Sequence, residues 1–339
     1  MKNADIEALN TLLDQPKSVA IIPHRNPDGD AMGSTLGLCH YLLYKGHNAV
    51  VIAPNEYPDF LKWLPGNDNV LIFDSDKENS LDKIQSADII FTLDFNDLKR
   101  TGHDMSEHLA QTTALKVMID HHQQPGDYAN YMYSDASMSS TCEMVYNFIG
   151  FLKGTDAIDA SIATCLYTGI MTDTGGFRFP STTSRTHEIA GDLMNRGANH
   201  SEIHNKVFDT NSYNRMQLLG RALNNLKVLE GYNTAYISLS QAELDQFEFK
   251  KGDTEGFVNY GLSLKGIVMA VIFIENTQEE LIKISFRSKG DFSVNEFARE
   301  HFNGGGHTNA AGGRSETSLK EAIAKFISIL PQYKQQLAP

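Results

Sequence analysis

The chain has 339 residues, 41% of them apolar and 21% charged, and a formal net charge of −13. That length suits two domains with separate cores, and no apolar run approaches the roughly 18 residues a bilayer crossing needs, so no membrane partner is expected. An acidic surface repels long nucleic acids, which points to a short substrate, to metal ions that supply positive charge locally, or to both.

The N-terminus lacks a basic region followed by an apolar stretch, so no secretory signal is visible and the cytoplasm is the expected compartment. Along the chain, Ser18–His24 reads as a buried strand and Asp30–Lys45 as an amphipathic helix. Ala49–Ala53, Val70–Phe73, Asp88–Asp94 and Leu115–Asp120 are further apolar runs, most of them separated by helical patterns. Such alternation predicts an α/β domain with a doubly wound, mainly parallel sheet. Helices are expected near Ser140–Phe151, Asp156–Met171 and Ser184–Arg196. The polar stretch that follows reads as a helical connector. From Val228 the texture changes. Strands at Thr234–Leu239, Gly266–Ile274 and Leu281–Arg287 lie closer together, with helices near Val294–His301 and Leu319–Ile329. The expected organisation is therefore a catalytic domain over 1–195, a connector over 196–227 and a smaller mixed-sheet α/β domain over 228–339.

Chemistry concentrates at the carboxyl ends of the first-domain strands. His24, Asp28 and Asp30 follow the first strand, with Pro27 and Gly29 enforcing a turn. Asp94 ends the fourth strand, and Asp120, His121 and His122 end the fifth; Asp173 follows a helical stretch. In open α/β sheets this edge faces the ligand crevice. One Asp at a strand end is ordinarily a helix cap, and Asp30 alone would fit that role. Four correctly placed sites in one chain are not explained by capping. Carboxylates crowded in one crevice repel one another unless cations neutralise them, and mixed oxygen and imidazole donors suit Mn²⁺, Mg²⁺ or Fe²⁺. Two such ions can hold a hydroxide between them and clamp a phosphoryl oxygen.

The second domain carries Gly304, Gly305, Gly306 and His307, read as a loop whose backbone N–H groups can cradle an anion. Arg287, at a strand end, can make a bidentate phosphate contact. Ser140–Glu143 reads as a capping box. Cys39, Cys142 and Cys165 read as small buried hydrophobes.

Taken together, Asn26–Asp30, Asp94, Asp120–His122 and Asp173 resemble the four motifs of the DHH phosphoesterase superfamily, and Gly304–His307 resembles the signature of its associated C-terminal domain. The resemblance spans nearly the whole chain. It implies that His24, Asp28 and Asp94 hold one divalent ion, most readily Mn²⁺. Asp30, Asp94, His121 and Asp173 would hold the second, with Asp94 shared. It further implies that Asp120 orients the histidine pair, that His122 contacts the scissile phosphate, and that Arg287 with Gly304–His307 binds the substrate's other phosphate or nucleotide. The architecture is similar to the group that degrades very short RNAs to mononucleotides and converts 3′-phosphoadenosine 5′-phosphate to AMP. With the second domain gripping one end, only very short substrates would fit. A phosphodiesterase for linear or cyclic dinucleotides is the alternative, and a non-catalytic nucleotide sensor a further one. The expected partners are short single-stranded RNA or a small nucleotide, with a homodimer as one assembly.

Overall fold

The computed structural model describes residues 1–338, which form two compact units, Met1–Thr210 and the residues from Asn211 onward. The first unit runs α1 (Asn3–Leu13), β1 (Ser18–Ile22), α2 (Gly29–Tyr44), β2 (Asn48–Ala53), β3 (Leu71–Ile72), α3 (Lys77–Ser86), β4 (Ile89–Leu93), α4 (His103–Gln111), β5 (Leu115–Asp120), β6 (Tyr131–Ser134), α5 (Thr141–Phe151), α6 (Ala160–Asp173), α7 (Ser184–Asn195) and α8 (His200–Phe208). Its sheet has the order β3-β2-β1-β4-β5-β6 with every pair parallel.

The apolar strands are buried on both faces, as a parallel sheet requires. In β1, Val19 and Ile21 point into the core shared with α2, α5 and α6, while Ala20 and Ile22 point into the core built on Ile84 of α3 and on Met105 and Leu109 of α4. Each fully buried Val, Ile or Leu contributes about 1.5–3 kcal/mol, so the unbroken runs hold the strands central. The strand order reverses between β1 and β4, and in doubly wound sheets that reversal opens a crevice at the carboxyl edge.

The cap of α2 is Asp28, not Asp30. Asp28 Oδ1 accepts from the N–H groups of Asp30 and Ala31, both at 3.1 Å. Asp30 therefore lies inside the first turn, where its carboxylate is available for another partner.

The second unit contains α9 (Tyr213–Asn225), β7 (Lys227–Leu229), β8 (Thr234–Leu239), α10 (Gln241–Gln246), α11 (Phe257–Leu262), β9 (Met269–Asn276), β10 (Leu281–Ser288), α12 (Val294–His301), β11 (Gly305–His307), β12 (Ala310–Ser315) and α13 (Leu319–Ile329). Its mixed sheet has the order β11-β12-β10-β9-β8-β7, with only β8–β9 parallel. The stretch read as a connector is divided: α8 belongs to the first unit, whereas α9 buries Leu218, Leu219 and Ala222 in a core of the second. The glycine-rich run read as a loop is instead a hairpin, with Gly305 opposite Gly312 and His307 opposite Ala310. Pairing of β12 with β10 supplies hydrogen bonds that glycine's low strand propensity concealed. Glycine is required at 304, where a Cβ would overlap the carbonyl of Gly312. Among the described residues no helix is long and apolar enough to cross a membrane.

Candidate metal centre and active site

β1, β4 and β5 are adjacent, so the residues that follow them meet at one edge. His24 Nε2 lies 3.5 Å from Asp94 Oδ2 and 4.0 Å from Asp28 Oδ2. His121 Nε2 lies 3.5 Å from Asp94 Oδ1, 3.5 Å from Asp173 Oδ2 and 3.7 Å from Asp30 Oδ2. Among the groups that could hold an ion are His24–Asp28–Asp94 and Asp30–Asp94–His121 with Asp173 beside it, and Asp94 belongs to both; Asp94 also stands with Asp120 and His122. Asp94 sits just beyond β4 with φ of 66°, in the left-handed region. Asp tolerates that conformation better than most residues, and backbone outliers of this kind cluster at functional sites.

The ring orientations follow from backbone acceptors. His24 Nδ1 is 2.9 Å from the carbonyl of Arg25, and His121 Nδ1 is 3.2 Å from the carbonyl of Met138. A nitrogen facing a carbonyl must carry the proton, so in the neutral ring Nε2 bears the lone pair turned toward the carboxylates. Asp120 was expected to orient both histidines. Its Oδ1 lies 2.7 Å from Nδ1 of His122, while the Met138 carbonyl faces Nδ1 of His121. Asp120 is fully buried, and among the described residues its Oδ2 has no hydrogen-bond partner.

Sequence reasoning missed a further contributor. The backbone N–H groups of Thr141 and Cys142, at the start of α5, donate to Asp30 Oδ2 at 2.6 Å and Oδ1 at 2.8 Å. Thr141 Oγ1 donates to Asp94 Oδ1 at 2.9 Å. The capping-box reading of this segment is half correct. Ser140 accepts from the Glu143 N–H at 3.1 Å, but the Glu143 carboxylate turns away to Ser139 Oγ and to Thr186 Oγ1, the latter at 2.9 Å. The available signal was the polar run Ser139–Thr141 heading an otherwise apolar helix; all three residues are buried.

Electrostatics sets these groups against one another. Burial raises Asp30 well above the usual carboxylate range, and the charges of Asp94 and Asp173 add to the effect. Burial also pushes Asp173 up to about 6, against the opposing pull of His121 and with help from Asp28 and Asp94. For Asp94 burial acts upward as well, but hydrogen bonds from His121 and His24 and the proximity of His122 outweigh it and hold the group well below its ordinary value. Burial works against charge on His24 and His121, yet bonding to Asp94 and the surrounding carboxylates raises both, His121 strongly.

These residues fit a cation. Among the described residues, Asp30, Asp94 and Asp173 form ion pairs only with histidines, never with Lys or Arg. One imidazole proton cannot serve three carboxylate oxygens at 3.5–3.7 Å. Buried carboxylates without a fixed cation are costly, and oxygen donors with imidazole form the donor set of Mn²⁺ or Mg²⁺.

In the second unit, Arg287 occupies β10 opposite Ala310 of β12 and donates to the Phe286 carbonyl at 2.9 Å. His307 closes β11, and the Gly306 N–H is engaged by Asn295 Oδ1 at 2.9 Å, so that amide is already committed.

Residues 18–170 match the DHH family, N-terminal domain, and residues 231–335 match the DHHA1 domain. The chain belongs to the DHH family and is a DHH phosphoesterase. Among individual relatives, it is similar to the bifunctional oligoribonuclease and PAP phosphatase NrnA of Thermus thermophilus, with 31% identity over 295 residues covering 87% of this chain and 83% of that protein. The Bacillus subtilis protein of the same name is 29% identical over 300 residues, covering 86% and 88%. A crystal structure of an exopolyphosphatase-related protein from Bacteroides fragilis superposes with a TM-score of 0.94 at 41% identity, covering 99% of this chain and 98% of that one.

Proposed function

We propose that the chain hydrolyses very short oligoribonucleotides to mononucleotides, and 3′-phosphoadenosine 5′-phosphate to AMP, with two divalent ions, Mn²⁺ foremost, as cofactors. The observation that carries this reading is Asp94, whose two oxygens face two separate groups of ligands, His24 on one side and His121 on the other. The relatives named as oligoribonuclease and PAP phosphatase support the substrate class. The net charge of −13 supports a preference for short chains, because it opposes long polyanions.

His24, Asp28 and Asp94 would hold one ion, and Asp30, Asp94, His121 and Asp173 the other. When bound, such ions supply Lewis-acid stabilisation of phosphoryl oxygens and activation of water. The chain's own residues do the rest. Asp120 fixes the His122 ring through Nδ1, which directs Nε2 toward a phosphoryl or leaving oxygen. There it can stabilise negative charge or deliver a proton. In the second unit, Arg287 and His307 are assigned to a distal phosphate or base.

The test is hydrolysis with Mn²⁺ of 5′-labelled RNAs from dinucleotides to about two dozen nucleotides, alongside 3′-phosphoadenosine 5′-phosphate and linear and cyclic dinucleotides. Rates should fall as length grows, and Asp94→Asn should lower them by at least roughly a hundredfold. Faster turnover of the longest RNA would refute the substrate assignment. Near-normal activity of the Asn variant would refute the assignment of Asp94.

A further inference from the structure

We propose that Thr141 is the positioning residue of the metal centre: its hydroxyl fixes the rotation of the shared carboxylate Asp94, and its backbone amide fixes Asp30. The inference rests on the reading given under Proposed function and adds a residue outside the ligand set.

A carboxylate that serves two groups of ligands has one soft degree of freedom. Rotation about the terminal bond of Asp is broad and roughly two-fold, so packing of the backbone alone does not determine where each oxygen points. The two oxygens of Asp94 nevertheless have different surroundings. Oδ2 faces His24 Nε2 at 3.5 Å, whereas Oδ1 faces His121 Nε2 at 3.5 Å and His122 Nδ1 at 3.8 Å. The two 3.5 Å contacts are long, weakly directional hydrogen bonds and the third is longer still, so the histidines hold the carboxylate's rotation only loosely. The shortest polar contact recorded for Asp94 is the Thr141 hydroxyl, 2.9 Å from Oδ1. A neutral hydroxyl orients a carboxylate without cancelling its charge, so the oxygen stays available to a cation.

The same residue acts on a second ligand. Its N–H donates to Asp30 Oδ2 at 2.6 Å, and the next N–H, from Cys142, donates to Asp30 Oδ1 at 2.8 Å. These are the first amides of α5, which lack partners within the helix and carry its positive end. Met138, three residues upstream, holds the His121 ring through its carbonyl. One short segment thus touches three ligands that arrive from α2, β4 and β5. The segment is itself anchored: Ser140 caps α5, and the buried Glu143 carboxylate ties Ser139 to Thr186 of α7. Thr141 is wholly buried and has no solvent role that would otherwise explain its hydroxyl.

The experiment compares chelator-treated wild type with Thr141→Val, Thr141→Ala and Thr141→Ser, each titrated with Mn²⁺ by calorimetry and examined by electron paramagnetic resonance, with melting temperature followed in parallel. Wild type should bind two Mn²⁺ ions per chain and show a spin-coupled signal. Val and Ala should weaken binding of at least one ion by roughly tenfold to a hundredfold and replace the coupled signal with that of isolated Mn²⁺. Ser, which restores the hydroxyl, should recover both properties to within about threefold of wild type. If Val does not fold, the Ala and Ser pair decides. Two tightly bound, spin-coupled ions in a variant without the hydroxyl would overturn the role of Thr141 alone. Failure of wild type to bind two ions would instead overturn the metal reading itself, and the inference with it.

Discussion

Gly169 of α6 lies beneath the site, and replacing it with Ala tests how tightly the ligands are held. A Cβ at this position would overlap Cys142 Sγ and stand 2.9 Å from Asp30 Oδ1 and 3.1 Å from Asp30 Cα. Two effects compete. Helix propensity favours Ala over Gly by about 1 kcal/mol in a helix interior. Overpacking of a dense core costs about 1–3 kcal/mol, and here the obstructing atoms belong to a buried turn and a ligand. The steric effect wins, because the added Cβ meets not only the Cys142 sulfur but also the side chain and the backbone Cα of Asp30, which is fixed in the first turn of α2. For a unit of about 200 residues each kcal/mol shifts the melting temperature by roughly 2–4 °C, so a fall of a few degrees is expected. Gly191 of α7 provides the control: a Cβ there meets nothing within 4 Å, and Gly191→Ala should raise the melting temperature by about 2 °C. Since Asp30 itself is displaced, Mn²⁺ affinity of Gly169→Ala should fall by roughly tenfold or more, whereas that of Gly191→Ala should not change. Adding Cys142→Ala to Gly169→Ala removes the overlapped sulfur and should restore part of both losses. Differential scanning fluorimetry and calorimetric Mn²⁺ titration read the two quantities. A Gly169→Ala protein at least as stable as wild type with unaltered Mn²⁺ affinity would refute the reasoning.

Four further outcomes follow. In the metal-free protein the raised values of His24, His121, Asp30 and Asp173 mean that the folded state holds more protons than the unfolded chain; the stability they give is complete below their unfolded values and lost as pH rises through the raised ones. Chelated protein should therefore melt at lower temperature as pH increases from about 6 to 8. Because ligation requires neutral imidazole and ionised carboxylate, Mn²⁺ binding at pH 7 should release roughly one to two protons, seen by calorimetry in buffers of differing ionisation enthalpy, and no release would contradict the assignment. Asp120→Asn leaves the His122 ring without its charged partner and should lower kcat by roughly 10–100-fold while leaving Mn²⁺ stoichiometry at two; an unchanged kcat would exclude a role for that pair. Arg287→Ala and His307→Ala should raise KM by about tenfold or more with kcat less affected, the pattern of a lost binding contact; a pure kcat effect would move them into the reaction step.

The candidate site residues were legible in the sequence because His24, Asp94 and Asp120–His122 lie at or just beyond apolar runs whose length and composition define buried strands, Asp28 and Asp30 occupy the turn into the next helix, and Asp173 ends one. Asp94 after Ile89–Leu93 and the Asp120–His122 run at the end of β5 need no knowledge of packing to be singled out. What was not readable depends on contacts across the chain. Ser140 signals a helix start, but nothing local reveals that Thr141 and Cys142, more than 100 residues from Asp30, aim their amides at it. The exchange of capping duty from Asp30 to Asp28 is a shift of two residues, within the ordinary uncertainty of a helix boundary. Strand β6 is four residues long, and β11 consists of Gly305, Gly306 and His307, a composition with almost no intrinsic preference for extended structure. Only pairing with neighbours makes these segments strands.

The left-handed backbone at Asp94 separates loss of chemistry from loss of shape. Most side chains pay a steric penalty in that conformation, so an arbitrary replacement confounds a dead enzyme with a misfolded one. Asn is the exception, since it tolerates the same dihedral angles and nearly matches the volume it replaces. A single exchange of oxygen for nitrogen can therefore yield a silent copy of the fold, suited to trapping an intact substrate.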